Sequence, residues 1–484
     1  MIAVQAASWH PAGRAARSVL MLMLLAGLGA LSVLQPLAAL ACLAPLYLAL
    51  RREHIFRDAF AGLLIGNVVF SYGFANVGFR LGGMPVPLTE MILLPLAGWV
   101  LLYRRSLTGI GLPGYFLAAL LAYALLRLII DFPRYGTLAL RDFTTPLELL
   151  CLLVAFWAFN EYGFEWAKRM WLAVCLCVIG YALLFPFYGL LAAHGPIFGL
   201  QQPVPLMGQY VEAGVGIGVA FFFCLLRLKA PASLVLGAFC LAAIAMIQMR
   251  GLYLAIPVVI LVVLIASGRV RTGMPARLAG TLLFGGLVLM LVIPQAPQGR
   301  VGQVNVSTVG AQLSTLLGRS GPGDSSFEYR VNWLNKTWTD QTQSLDRMLL
   351  GSGLGTDLAS GFAVGENDQL LVRKPHNDYI EVFARYGVIG MLPWIGLFGS
   401  LGWALWRAAR SSYLTADERT FVLWLIAGVS IYMLIAATQP LLAFPCGTLP
   451  LITMLGMGLA LLRQAEARAR TDTDDLEGPA VTAA

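Results

Sequence analysis

Ionisable side chains next to long apolar runs are the residues of this chain best suited to chemistry. Charge beside hydrocarbon is costly and persists where it serves a function. Glu90, Arg127, Asp131, Glu148 and Glu212 border apolar segments. Arg80, Arg134, Arg141, Asp142, His194 and Arg250 occupy the short polar connections. One longer polar stretch, residues 295–386, carries a single histidine, His376, with eight basic and nine acidic residues. Histidine titrates near neutral pH and suits proton transfer. Arginine offers a fixed planar charge that matches phosphate oxygens two at a time. The stretch is close to neutral overall, so bulk attraction to a polyanion is not its role.

Other chemical patterns lead elsewhere. Gly351-Ser-Gly-Leu-Gly355 has glycine spacing like part of a dinucleotide loop, but no apolar strand precedes it, and it reads as a turn. Asn335-Lys-Thr337 matches a glycosylation sequon, a pattern common by chance. The seven cysteines lie in or beside apolar runs and none falls in 295–386. That excludes a disulfide framework or metal-type cysteine spacing there. Asp472, Asp474 and Asp475 read as part of a solvated end.

The elements that position these residues follow from composition. Of 484 residues, 58% are apolar or aromatic and 12% charged, about half the charge of a soluble chain. A helix needs roughly 17–25 apolar residues to cross hydrocarbon. Runs of that kind recur from residue 18 to residue 463. They are too long and uniform for barrel strands, whose apolar residues alternate. The expected fold is an all-α polytopic membrane protein with about 12–14 transmembrane helices and one large helical periplasmic loop. Spans are expected near 18–33, 36–50, 59–79, 86–103, 112–130, 146–160, 170–191, 213–227, 231–249, 251–267, 279–294, 387–407, 421–438 and 446–463.

Net charge is +8, yet 20 of the 33 basic residues fall in eight clusters at alternate helix ends. That is the positive-inside pattern, and it argues against nucleic acid as a partner. It divides the chain into N-terminal spans (1–294), a periplasmic loop (295–386), C-terminal spans (387–463) and a disordered cytoplasmic tail (464–484). The polar candidates then gather on the outer face, whereas a carrier places its site near the midplane. Within the loop, a Ser/Gly/Pro-rich stretch (304–326) precedes a helix near Glu328–Thr342. Pro375-His376-Asn377-Asp378 opens an amphipathic helix, with Asn377 or Asp378 as its cap.

The order Arg330-Val-Asn-Trp333, Leu350-Gly-Ser-Gly-Leu-Gly355, His376-Asn-Asp-Tyr379 and Tyr386-Gly-Val-Ile-Gly390 resembles the bacterial O-antigen ligase and O-antigen polymerase superfamily. Gln248-Met-Arg250-Gly-Leu-Tyr-Leu254 looks like that family's Arg-Gly motif, and Arg141-Asp142 is similar to a looser Arg-Asp element. The resemblance covers roughly residues 130–440.

It implies an inner-membrane enzyme that moves a glycan from an undecaprenyl-diphosphate carrier to an acceptor hydroxyl, without metal or other cofactor. The acceptor is lipid A-core, a growing polysaccharide or a protein, and other polysaccharide-assembly proteins are possible partners. On this reading His376 is the base, while Arg330 and Arg250 hold the diphosphate. Arg141, Asn377 and Trp333 line the substrate. Plainer roles stand beside these. Arg250 as a snorkelling helix end, Arg330 in a salt bridge with Glu328 or Asp346, and His376 as a helix-start residue. Arg141 pairing with Asp142 or Glu148 and Trp333 as packing complete that set; His194 and Glu212 are site neighbours. A transporter or flippase of lipid-linked sugar, and a non-catalytic assembly component, are the rival functions.

Overall fold

The computed structural model describes residues 54–81, 84–103, 107–200, 203–268, 273–292, 298–300, 302–316, 324–358 and 375–476. Two compact units, Met1–Ala59 and Phe60–Ala484, divide the chain. The described part of the first includes the start of helix α1 (Ile55–Val69), where Arg57 and Asp58 pair at 3.0 Å. The expected spans 18–33 and 36–50 lie outside the described residues.

The second unit is helical, with strands only as three short antiparallel hairpins among the described residues. These are β1 (Gly78–Leu81) with β2 (Met84–Pro87), β3 (Ile197–Phe198) with β4 (Val204–Pro205), and β5 (Gln298–Gly299) with β6 (Gly302–Gln303). The first run of long helices comprises α2 (Leu88–Tyr103), α3 (Leu112–Tyr135), α4 (Thr137–Glu148) and α5 (Cys151–Ala182). Next come α6 (Val211–Arg227), α7 (Ala230–Ile247), α8 (Arg250–Ser267) and α9 (Met274–Val292). The loop supplies α10 (Val306–Leu316), α11 (Asp324–Thr342) and α12 (Leu345–Leu350). The chain closes with α13 (Asp378–Arg410), α14 (Ala416–Ala436) and α15 (Pro445–Leu476).

Seven described helical segments are long and apolar enough to cross a membrane, and the fold is all-α and polytopic. One of the seven, Thr137–Ala182, bends at Gly163 (φ 78°), between the expected spans 146–160 and 170–191. The expected total of about 12–14 also counts shorter apolar helices such as α1, α2 and α6, of 15, 16 and 17 residues. One boundary differs from expectation. The span expected at 59–79 stops at Val69, because Ser71 (φ 48°) breaks the helix before hairpin β1–β2.

Helix α15 is the axle of the bundle, with all of its most apolar window buried. Trp171 of α5 and Trp424 of α14 meet edge to face at 5.1 Å, and the Trp424 indole N–H donates to Val219 O at 3.1 Å. By contrast α3 and α8, 22% and 28% buried in their apolar windows, form the outer wall. One expectation is corrected here. The disordered tail expected from residue 464 is helical through Leu476. Arg468 grips Glu418 through both terminal nitrogens at 2.8 Å, and Arg463 pairs with Glu466 at 2.8 Å. Helix α10 occupies much of the Ser/Gly/Pro-rich stretch, since the Asn305 carboxamide accepts from Thr308 N at 2.8 Å and caps it.

Charge is sorted between the two ends of the bundle. At one end Lys168 and Arg227 share Asp417, while Arg407 and Arg463 share Glu466. These cations come from the sequence's terminal basic clusters. The opposite end, where α6, α8, α13 and α15 begin and α7 and α14 finish, carries the loop helices.

Candidate active site

The site is assembled on the segment Ala437–Leu442, which links α14 to α15. Asn377 caps α13, its Oδ1 accepting from Ile380 N at 3.1 Å, and its amide donates to Ala437 O at 2.9 Å. Asp378 Oδ2 accepts from Leu441 N at 2.9 Å and Leu442 N at 2.7 Å. The Tyr379 hydroxyl donates to Met433 O at 2.7 Å. Asn377 and Asp378 thus rivet the first turn of α13, and with it His376, to this platform, while Tyr379 ties it to the last turn of α14. Arg330 of α11 uses the same platform, donating to Thr438 O at 3.3 Å.

Trp333 follows Arg330 by three residues, a spacing that places both on one helix face. It is 1% exposed, and its indole N–H donates to Leu358 O at 2.9 Å. Its ring meets His376 at 5.6 Å with the planes at 87°. Burial leaves it no free face for a sugar. Its place in this structure is against the imidazole rather than on an open surface. Burial first, and the Arg330 charge second, lower the His376 pKa to about 4. His376 Nδ1 is buried and has no hydrogen-bond partner among the described residues.

Arg250 opens α8 just beyond a corner in which Gln248 takes a left-handed conformation (φ 53°, ψ 42°). Only Ser71 shares a positive φ among the described non-glycine residues. Helix α8 approaches α14 closely at this point. A Cβ on Gly251 would stand 3.1 Å from Thr438 Oγ1, on the residue whose carbonyl holds Arg330. Arg330 is held below the usual arginine range by burial, then by the charges of Arg250 and Arg300. The structure therefore brings together Arg330, His376, Trp333 and Asn377, with Arg250 beside them.

Arg300 is the residue that sequence reasoning missed. It follows the apolar run ending near residue 294 by only a few positions. That depth, shared with Arg250, was the available signal.

Arg141 sits elsewhere, in a polar cluster that fastens the glycine turn. It pairs with Asp142 at 3.1 Å, and Asp142 also binds Arg385 at 2.7 Å and accepts from Gly355 N at 2.9 Å. Asp131, paired with Arg127 at 3.2 Å, accepts from Leu354 N at 2.8 Å. Gly351, Gly353 and Gly355 all have φ between 76° and 90°, values that suit glycine. The turn packs on α13, with Ser352 N donating to Ala384 O at 2.7 Å. These contacts place Arg141 in the cluster that holds the glycine turn, apart from Arg330 and His376. Arg80 is likewise structural, donating twice to Leu200 O. His194 contacts Leu190 O within its own short helix, whereas Glu212 lies in the electrostatic range of Arg300.

An apolar groove of about 270 Å3 flanks the site, lined by Trp338, Tyr379, Phe383, Leu392 and Ile395 among others. Among the described residues, no group of three or more His, Cys, Asp or Glu side chains is placed to ligate a metal.

The search of curated proteins gave no match. The family model described as O-antigen ligase matches residues 232–395, about a third of the chain. The match encloses Arg250, Arg300, Arg330, Trp333, His376 and Asn377, and leaves out Arg141. Over the segment that builds this site, this multi-pass membrane protein is therefore similar to the O-antigen ligase family.

Proposed function

We propose that the protein is a glycosyltransferase that moves a glycan from an undecaprenyl-diphosphate carrier to an acceptor hydroxyl at the periplasmic face of the inner membrane. The observation that carries this reading is the meeting of His376 with Arg330 on one platform, with the charge of Arg250 in range of Arg330. Acid–base and anion-holding groups are thus side by side at the end of a membrane bundle.

In the reaction the acceptor oxygen bonds to the anomeric carbon and its proton passes to His376. The bond from that carbon to the phosphate oxygen breaks, and the electron pair leaves with the diphosphate. Arg330 and Arg250 present preset charge to that oxygen, which is worth more in a dry site than in water. With Nδ1 enclosed, Nε2 of His376 is the nitrogen that meets the acceptor. Trp333 and Asn377 hold the imidazole and its turn in place. The apolar groove beside Tyr379 suits the lipid portion of the carrier. Lipid A-core, a growing polysaccharide and a protein are the acceptors this chemistry serves.

His376→Ala removes the base and leaves the cap at Asn377 intact. Glycan transfer is expected to fall about 100- to 10,000-fold, with membrane abundance unchanged. Transfer above a tenth of wild type by an equally abundant variant would remove His376 from the chemistry.

A further inference from the structure

Arg300 stands at the tip of hairpin β5–β6, and the hairpin is moulded to the corner that launches Arg250. Its backbone N–H donates to Met246 O at 3.0 Å, and its Nε donates to Ile247 O at 3.0 Å. Gly299 lies so close to this corner that a Cβ there would come within 2.9 Å of Met246 O and 3.0 Å of Gln248 Cδ. Arg330 reaches the same corner from the other side, through Thr438, whose hydroxyl lies against Gly251. Three arginines from three separate segments converge: the start of α8, the hairpin tip and α11. Among the described side chains no carboxylate forms an ion pair with Arg300 or Arg330, and the acid in range of Arg300 is Glu212. Gathering like charges is unfavourable unless an anion joins them.

We propose that Arg300 is a third anion-binding residue, one that meets the negative charge appearing on the diphosphate as the glycan departs. This rests on the diphosphate-linked donor proposed above. While the glycan is attached, both phosphates are esterified, and Arg250 with Arg330 are enough to hold them. Cleavage leaves the bond's electron pair on the terminal phosphate oxygen, so the lipid diphosphate gains charge. A guanidinium that engages this added charge stabilises the transition state and product more than the bound donor. Interactions of that kind raise the rate, while those made equally in both states only tighten binding.

The test uses the full-length chain in lipid nanodiscs and two probes. One is a short polyprenyl diphosphate with a free terminal phosphate; the other is the same lipid with that phosphate capped as an alkyl ester. Wild type is expected to bind the uncapped probe more tightly. Arg300→Gln should weaken the uncapped probe about tenfold and the capped probe less than about twofold, erasing the preference. Arg330→Gln should weaken both. If Arg300→Gln does not accumulate folded, Arg300→Lys carries the test, because it keeps the charge but loses the planar fork. Its preference is expected to shrink, and an unchanged preference overturns the proposal. Arg300→Gln binding both probes as wild type does, or weakening both equally, overturns the role of Arg300 alone. Failure of either probe to bind wild type overturns the diphosphate-donor reading as well.

Discussion

Neutrality of His376 is secured twice, by its burial and by the Arg330 guanidinium, which together lower its pKa to about 4. An unfolded chain carries an imidazole near the ordinary value of about 6.5. Between those values the unfolded chain binds the proton and the native protein does not. Native stability therefore falls as pH drops from about 6.5 toward 4, and this histidine contributes no pH dependence at neutral pH or above. On the mechanism proposed above, catalysis follows the same group with a different midpoint in each state. In the free enzyme the base stays unprotonated down to about pH 4. A bound diphosphate compensates Arg330 and raises the imidazole toward its ordinary value, making it a stronger base. The acid limb of kcat is accordingly expected at higher pH than the acid limb of kcat/KM, because the two report the bound and free enzyme respectively. Steady-state rates from pH 4 to 8 check this. Coincident limbs would show that the diphosphate does not act on His376 through Arg330.

Among the elements, α13 carries the largest mechanical demand, because it is both the arm that bears the His376 turn and a membrane helix. Gly387 separates the two at φ 60°, ψ −166°, a conformation open to glycine almost alone. A Cβ there would run into the Leu349 carbonyl, so the kink also seats the glycine turn. Gly387→Ala is expected to cost about 1–3 kcal/mol or more, seen as a lower melting temperature in detergent together with lost transfer. Gly399→Ala, on the same helix with open space around it, should melt at or above wild type. Equal melting of the two variants would show that the kink is not strained. The break at residue 387 was legible in the sequence, since an amphipathic segment gives way there to an apolar one. So was a cap at Asn377 or Asp378, because capping is local, and the structure places it at Asn377. What stayed hidden was non-local. Arg300 reaches the Arg250 corner through a hairpin that packs on residues fifty positions earlier. Trp333 shares a face with Arg330, yet its spacing does not tell that Leu358 takes its N–H. Arg141-Asp142 carries no sign that Asp142 is committed to Arg385 and Gly355. The helical tail depends on Arg468 finding Glu418 on another helix.

Within the larger unit, two groups of basic residues occupy opposite ends of one bundle. Lys168, Arg227, Arg407, Arg463 and Arg468 come from four of the basic clusters, and they converge on Asp417, Glu418 and Glu466 at one end. Arg250, Arg300, Arg330 and His376 meet at the other. Basic residues near span ends are retained on the cytoplasmic side during insertion, so the clustered end is expected there, with the site facing the periplasm as proposed above. The alternative orientation would require several basic turns to cross the membrane, against that bias. A reporter enzyme that is active only after export distinguishes the two. Fused within residues 304–326 it is expected to be active, and fused at the α6–α7 turn near Leu228 it is expected to be silent. The reverse pattern would turn the bundle over and put the site on the cytosolic face, out of reach of a periplasmic acceptor.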